Sequence, residues 1–414
     1  MNSQYLNSRI SDFVAIRKNG LAYIDKTMYI PQIEHGADYT FYIRPHGMGA
    51  TTLISMLKAY YDINLKDKWN DLFKKLYISS CPTPGRSQYL IGHVDFRHFS
   101  GNIKTLKKEL YTIYFTEFNR VLETYEYLFS AKKVEQIKQE GEKLTSPTDY
   151  LNLICSEAKK LGYKFYLFVD GFDAVADCLL EQGGKINYAD DEFISNMRTY
   201  FKFFDSIYTA SQLSIAKIFA VGTIPIAITK FFAGFKGGIF YTTEGDVAQL
   251  SGFTPNNVRA LIDNHPLRSQ FKHTTAELID AITNLHGGYC FSTKALNEPR
   301  LIRCKGAITF IEEYVKNNFN IPQQEPQCDI CPILRGRDHE YDQRTSALRD
   351  TLCGKKSIID IEKIIPIDRL DDTRYFFSML YYRGSFTIIG EKWGKLLLGI
   401  SNSGAQNHIN KYLQ

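Results

Sequence analysis

Residues 41–55, FYIRPHGMGATTLIS, are the part of the chain that most restricts its fold. An apolar run ends at Ile43, a turn containing Gly47 and Gly49 follows, and Thr51 begins a segment with helical apolar spacing. A strand, a glycine-containing turn and a helix in this order are the layout of a phosphate-binding loop. Ala50 stands where such a loop places a lysine. The segment therefore predicts a nucleotide-binding scaffold without its usual phosphate-binding cation.

Length and composition indicate a globular protein of two or three domains. The chain has 414 residues, 44% of them hydrophobic, which is more than one typical domain and enough to bury a substantial core. With 28 Phe and 27 Tyr, it is too rich in aromatic residues for long disordered stretches. The net charge of +5 is small and the basic residues are spread out, so charge does not indicate binding to nucleic acid.

The sequence predicts neither a leader peptide nor a membrane anchor. The N-terminus lacks an apolar segment of signal-peptide length, and no run reaches the roughly eighteen apolar residues of a membrane span. We therefore expect a cytoplasmic protein with no membrane partner, and leaderless export to a host stays open. Eight scattered cysteines suit a reducing compartment. Cys328 and Cys331 form a CxxC without a second ligand pair, so no zinc is expected.

Apolar runs and helical spacing alternate along the first 250 residues. Strands are expected at 39–45, 89–96, 164–173 and 214–223, with a shorter strand at 21–27 and amphipathic helices between 103 and 160. This order predicts an α/β fold with a P-loop NTPase-type parallel sheet flanked by helices, over residues 1–250. Helical periodicity then predicts a helical lid domain at 251–320, prolines predict a linker at 321–342, and 343–414 form a small C-terminal α+β or helical region.

Two predicted strands end in residues suited to nucleotide chemistry. The run FYLFVD ends in Asp170, where an aspartate would hold Mg²⁺. Gly171 follows it, at the position of a glutamate that would polarise the attacking water, and Asp173 lies two residues further. The run IFAVGT ends in Thr223, a polar residue placed to sense a terminal phosphate. We therefore expect metal binding by Thr51 and Asp170, with Asp173 and Thr223 as further site candidates.

In this order the motifs resemble those of the AAA-ATPase-like family, whose members are predicted P-loop ATPases. Its successive signatures are matched by IRKNGLAYIDKT, FYIRPHGMGATTLISMLKAYYD, HVDF, LFVDGFDAV, FAVGT, LSGFTPNNV, HGGYCF and YYRGSFTI, which together span nearly the whole chain. Many members are fused to a nuclease-like domain of the PD-(D/E)xK class. No such domain is expected here, because the sequence ends at Gln414.

The resemblance implies a site for ATP or ADP with Mg²⁺ in the loop. The nucleotide-binding residues would be Arg44, His46, Gly47, Met48, Gly49, Ala50, Thr51 and Thr52. Family members carry lysine in place of Ala50 and glutamate in place of Gly171, and phosphoryl transfer depends on such charges. We therefore assign no catalytic residue and expect a degenerate ATPase that binds nucleotide weakly and acts through a protein partner or conformational signalling.

Two alternatives stay open at the level of sequence. The first is an active ATPase in which Arg44 or a residue of a partner replaces the lysine and Asp173 replaces the glutamate. The second is a scaffold or effector that binds no nucleotide. Turnover of ATP separates the first alternative from the degenerate ATPase, and a ligand-dependent melting temperature separates the second.

Overall fold

The computed structural model of the protein describes residues 5–144, 147–175, 214–225, 239–241, 247–323, 357–362, 365–366 and 372–413, most of 345–352, and scattered positions between 177 and 207. Cys328 and Cys331, and most of the predicted linker at 321–342, lie outside the described residues.

A five-stranded parallel sheet forms the centre of the molecule. Its strands, in the spatial order β2-β3-β4-β1-β5, are β1 (Tyr39–Ile43), β2 (Leu90–Asp95), β3 (Phe165–Asp170), β4 (Ile215–Gly222) and β5 (Ile239–Tyr241). All neighbouring strands pair in parallel, so their carboxyl ends share one edge. Open parallel sheets bind ligands at that edge. The predicted α/β fold with a P-loop NTPase-type sheet is confirmed.

Helices cover both faces of the sheet because its strands are apolar on both sides. They are α1 (Phe13–Lys18), α2 (Ile30–His35), α3 (Ala50–Tyr61), α4 (Trp69–Phe73), α5 (Leu106–Thr124), α6 (Glu126–Phe129), α7 (Ala131–Lys143) and α8 (Pro147–Lys160). Along β1, Tyr42 packs with the apolar residues of α3, and its neighbours Phe41 and Ile43 pack with those of α5 and α8. None of the described helices combines the length and the hydropathy needed to cross a membrane.

The expected strand at 21–27 is wrong. Residues 21–26 take no regular structure, and Thr27–Tyr29 form a 3₁₀ turn. The carboxylate of Asp25 accepts hydrogen bonds from the backbone N–H and the hydroxyl of Thr27, which closes a local turn. Such Asx turns compete with strand pairing, and aspartate favours them over strands.

Three helices follow the sheet and share a hydrophobic core of their own. They are α9 (Pro255–Asp263), α10 (Thr275–His286) and α11 (Cys304–Lys316). Capping boxes at Thr254 and Thr274 begin the first two, which fixes where each helix starts. Their core contains Val258, Ile282 and Phe310. We call these three helices the lid.

In its described residues, the C-terminal region combines helical segments, among them positions 345–346 and 348–352, with a small antiparallel sheet. It contains β6 (Ser357–Ile359), α12 (Thr373–Tyr382), β7 (Phe386–Lys392), β8 (Lys395–Ile400) and α13 (Ser403–Leu413), and its strands lie in the order β6-β8-β7. Phe376, Leu380 and Leu398 belong to the same hydrophobic cluster as the core of the parallel sheet. The C-terminal region therefore packs against the main body rather than standing apart from it.

Candidate functional site

The loop between β1 and α3 has the conformation of an anion-binding turn. Gly47 and Gly49 take positive φ angles of 80° and 91°, which glycine adopts without steric cost. Helix α3 begins at Ala50, directly after Gly49, and glycine has no side chain to cap the first-turn N–H groups. These groups lie at the carboxyl edge of the parallel sheet. Uncapped N–H groups and the helix dipole favour a bound anion at this point.

The lid and Gly252, which lies just before it, contact the loop between β1 and α3. The backbone N–H of Lys305 donates to the carbonyl of Gly47 at 3.0 Å, and that of Gly252 donates to the carbonyl of Met48 at 2.7 Å. The thiol of Cys304 also donates to the carbonyl of Met48, at 3.2 Å. Met48 is buried in this contact. Any movement of the loop must therefore change its contacts with the first residues of α11.

A single arginine joins the loop to the ends of two strands. Arg97 Nη1 donates to Thr51 Oγ1 at 2.8 Å. The same guanidinium forms a bidentate pair with Asp95, at 2.9 Å from Nε to Oδ1 and 2.5 Å from Nη2 to Oδ2. Its Nε lies 3.3 Å from Asp170 Oδ2. Thr51 and Asp170, the two residues expected to hold a metal, therefore meet at a guanidinium.

Mg²⁺ does not fit between these side chains as they are arranged. The ion needs oxygen ligands at about 2.0–2.1 Å in near-octahedral geometry. Here the hydroxyl of Thr51 and a carboxylate oxygen of Asp170 both face Arg97. A divalent cation beside the guanidinium would meet direct charge repulsion.

An acidic group with metal-ligand chemistry surrounds the same arginine, but it already contains two cations. One ligand atom from each of His93, Asp95 and Asp170 lies within 4.8 Å of the others. Lys58 Nζ lies 3.1 Å from His93 Nδ1, and Arg97 pairs with both carboxylates. The group is thus a compensated ion cluster, which we call the Arg97 cluster.

Burial and Arg97 set the ionisation of these carboxylates. Burial raises the pKa of Asp170 to about 6, against an opposing effect of Arg97. Burial also acts to raise the pKa of Asp95, but its hydrogen bonds and ion pair with Arg97 outweigh this and lower the pKa. The pKa of Arg97 is raised, chiefly by its hydrogen bond to Asp95. The arginine is therefore a permanent positive charge held in a fixed place.

Gly171 lies directly beneath the aliphatic part of Arg97. Its φ is +69°, and a Cβ added there would lie 2.7 Å from Arg97 Cγ. Real Cβ contacts are not that short, so a side chain at position 171 and the observed arginine exclude each other. The family resemblance places a glutamate at this position. In this chain Arg97 fills the space that the side chain of such a glutamate would need.

Asp173 and Thr223 lie side by side at the ends of β3 and β4. The carboxylate of Asp173 accepts hydrogen bonds from the backbone N–H groups of Thr223 at 2.6 Å and Ile224 at 2.5 Å. Burial, followed by the nearby Asp177, raises the pKa of Asp173 to about 7. Thr223 Oγ1 lies 3.3 Å from Nε2 of His46. Asp173 thus fixes the backbone of the sensor strand, while His46 and Thr223 meet beside the loop.

Arg44 is buried, with 2% of its surface exposed. Its guanidinium lies over the rings of Tyr42 and Phe291, at 4.6 Å and 4.4 Å from their centroids. Its Nη1 donates to the carbonyl of Ile43 at 2.8 Å. Aromatic rings therefore cover both faces of this side chain. Of the remaining predicted residues, Ala50 and Thr52 lie partly buried in the first turn of α3.

Sequence reasoning missed the two arginines that organise the site. Arg97 follows the second strand by two residues, and the alternation of His93, Asp95 and Arg97 with apolar residues could have been recognised as a charged strand end. Arg383 could not have been found, because it reaches the site from the C-terminal region. Its Nη2 donates to Asp177 Oδ1 at 2.7 Å, and Asp177 Oδ2 lies 3.4 Å from His46 Nε2.

Comparison with solved structures gives distant similarities over almost the full length. The chain is similar to the ORC2 protein of Aeropyrum pernix in ADPNP–ADP complexes, with 11% identity, 99% of this chain and 96% of that one covered, and a TM-score of 0.39. It is also similar to Cdc6p of Pyrobaculum aerophilum, with 11% identity, 91% of this chain and 88% of that one covered, and a TM-score of 0.31. A third similarity is to the Aeropyrum pernix ORC1 protein in complex with DNA, with 9% identity, 99% of this chain and 93% of that one covered, and a TM-score of 0.34. No curated protein sequence matches the chain.

The comparison with protein families is more specific. The family described as Predicted AAA-ATPase (AAA-ATPase-like) matches residues 8–232, more than half of the chain. The match contains the glycine loop, the Arg97 cluster, Asp170 and Thr223, whereas Arg383 and the lid residues that contact the loop lie outside it. Because this match covers more than half of its residues, the chain belongs to the AAA-ATPase-like family.

Proposed function

We propose that this protein is a degenerate AAA-ATPase that binds ATP or ADP weakly and does not turn it over. The observation that carries the proposal is the pair of replacements at the loop and at β3. Ala50 supplies no charge to the phosphates, and Gly171 supplies no group to orient water. Catalysis of phosphoryl transfer consists almost entirely of such positioning and charge stabilisation.

The loop nevertheless keeps what is needed to hold an anion. Its two left-handed glycines lead into the uncapped first turn of α3, a helix of 12 residues. Backbone N–H groups and the helix dipole bind phosphate without a lysine, although more weakly. Weak nucleotide binding is therefore the function that this geometry supports best.

Contacts around the loop favour signalling as the use of that binding. Backbone hydrogen bonds join Gly47 to Lys305 of the lid and Met48 to Gly252, just before the lid. On the other side, a Cβ at Gly384 would lie 2.8 Å from Pro45 Cγ, so the C-terminal region touches the start of the loop. We propose that nucleotide binding changes these contacts and that a protein partner responds to the change.

The active-ATPase alternative has less support. Without a residue from a partner, it needs Arg44 to reach the phosphates, whereas that side chain lies over the rings of Tyr42 and Phe291. It also needs Asp173 as a base, whereas that carboxylate accepts from two backbone N–H groups. The remaining alternative, a scaffold that binds no nucleotide, is an outcome of the experiment that follows.

The experiment measures melting temperature and hydrolysis on the full chain. A ligand that binds only the native state raises the melting temperature, so ATP and ADP should each raise it in a concentration-dependent way. Ala50→Glu should abolish the shift because its carboxylate repels phosphate, whereas the uncharged Ala50→Gln should keep it. Turnover of ATP should equal the rate without protein. Hydrolysis at the rate of intact P-loop enzymes would contradict the proposal. If neither nucleotide shifted the melting temperature, the alternative of a scaffold that binds no nucleotide would be supported instead.

A further inference from the structure

We infer that Arg97 replaces the divalent metal of this nucleotide pocket, so that binding of ATP or ADP does not require Mg²⁺. The inference rests on the proposed function, because it concerns the same pocket. It differs from what the family resemblance implies, which assigns Mg²⁺ to Thr51 and Asp170.

The position of the guanidinium carries the inference. In P-loop enzymes, a Ser or Thr hydroxyl at the start of the helix and an aspartate at a strand end hold the metal between them. In this chain both groups are present as Thr51 and Asp170, and Arg97 contacts both, at 2.8 Å and 3.3 Å. One positive group therefore already joins the two atoms that a metal would join.

The arginine is fixed there by its pair with Asp95 and by the space above Gly171. Asp95 binds it in bidentate fashion, which sets the plane of the guanidinium. Gly171 provides the space for its aliphatic part. On the far side of the cluster, Lys58 Nζ lies 3.1 Å from His93 Nδ1 and places a second positive charge beside the group. A metal would have to displace a paired side chain, not just enter an open site.

Arg97 also remains able to meet a ligand. Its side chain keeps 38% of its surface exposed, unlike Asp170 at 4%. A guanidinium has five N–H donors. Three of them donate to Asp95 and Thr51, so one N–H on each terminal nitrogen is left for a phosphate oxygen. The first turn of α3, which contains Thr51, lies in direct contact with it. A phosphate bound at that turn would therefore lie beside a positive charge that belongs to the chain itself.

The first test compares nucleotide affinity with and without metal. Binding of a fluorescent ATP analogue to the full chain should change by less than about threefold between excess Mg²⁺ and excess EDTA. Arg97→Gln, which keeps a polar side chain with an N–H donor but is shorter and uncharged, should weaken binding in EDTA by about tenfold, as expected for one charge-assisted hydrogen bond. Arg374→Ala, which removes an exposed arginine paired with Asp372 in the C-terminal region, should behave as wild type.

The second test detects the metal without nucleotide. Electron paramagnetic resonance of Mn²⁺ should find no tight site in the wild-type protein, because Arg97 occupies the position. Arg97→Ala should create such a site from Thr51, Asp95 and Asp170, and Thr51→Ala added to that variant should weaken it. Circular dichroism confirms that each variant is folded.

The outcomes separate this inference from the proposed function. Tenfold tighter ATP binding with Mg²⁺ than with EDTA would overturn the inference and leave nucleotide binding intact. Absence of ATP binding under both conditions would overturn the proposed function, and the Mn²⁺ measurement would still decide the role of Arg97. Equal Mn²⁺ binding by wild type and Arg97→Ala would overturn the inference in either case.

Discussion

At the scale of single residues, the absence of a side chain at Gly171 and the position of Arg97 depend on each other. A side chain at position 171 and the observed position of Arg97 exclude each other, because a Cβ there would lie 2.7 Å from Arg97 Cγ. Loss of the glutamate therefore makes room for the arginine. The sequence shows the glycine but not this consequence, since nothing in the spacing of residues 97 and 171 indicates that their side chains meet.

Two glycines with similar backbone angles test this contact. Gly171 and Gly162 have φ of +69° and +79°, but only Gly171 has a side chain above it. Gly162→Ala should lower the free energy of unfolding by about 1–2 kcal/mol through backbone strain alone. Gly171→Ala should cost about 1–3 kcal/mol more through overpacking. Urea denaturation measures both, and equal losses would contradict the proposed contact.

The raised pKa of Asp173 predicts a dependence of stability on pH. Its pKa is about 7 in the folded protein, above the value of 3.8 for an unperturbed aspartate. The folded state therefore binds more protons than the unfolded state between about pH 4 and pH 7, and this group's contribution to stability falls as the pH rises through that window. Asp173→Asn keeps a hydrogen-bond acceptor and cannot ionise.

Denaturation across the same window should show a smaller decline for Asp173→Asn than for the wild type. The difference between the two curves isolates this carboxylate from other titrating groups. Parallel curves would show that Asp173 titrates normally despite its burial.

At the scale of elements, the parallel strands were predictable from the sequence. The contacts that Arg97 and Arg383 make at the carboxyl edge of the sheet were not. Strands buried on both faces give continuous apolar runs, and FYLFVD and IFAVGT have that form. The glycine loop was predictable because a strand-to-helix turn needs left-handed residues at defined positions. Arg97 and Arg383 approach the loop through tertiary contacts, and sequence periodicity carries no information on these.

Helix α3 offers a direct test of the missing lysine. Ala50 is its first residue, at the position from which a lysine would reach the phosphates. Ala50→Lys should tighten binding of ATP by about tenfold, the effect of one added charged hydrogen bond. It should not restore hydrolysis, because Gly171 still offers no base. Calorimetric titration measures the first effect and a phosphate-release assay the second; measurable turnover would contradict the account.

At the scale of the whole molecule, a buried ion pair connects the C-terminal region with the nucleotide loop. Arg383 lies 2.7 Å from Asp177, and 2% and 14% of their side chains are exposed. Burial acts to raise the pKa of Asp177, but Arg383 and then His46 lower it, so the carboxylate stays charged. The pair lies 206 residues apart in sequence, which is why sequence alone could not find it.

Removal of one partner from this pair should be costly. Arg383→Ala leaves Asp177 as a buried charge and should destabilise the protein by about 3–5 kcal/mol. Arg374→Ala removes a solvent-exposed arginine paired with Asp372 in the same region and should cost less than about 1 kcal/mol. Chemical denaturation compares the two. Similar losses would show that the buried pair does not hold the C-terminal region in place.

Calorimetric titration of the full chain with ATP in excess EDTA tests the central claim most directly, since it asks whether the loop alone, without metal or lysine, holds a nucleotide. The account predicts weak, saturable, one-to-one binding that Ala50→Glu abolishes and Ala50→Gln retains. Binding heat that Ala50→Glu leaves unchanged, or no binding heat at all, would contradict it.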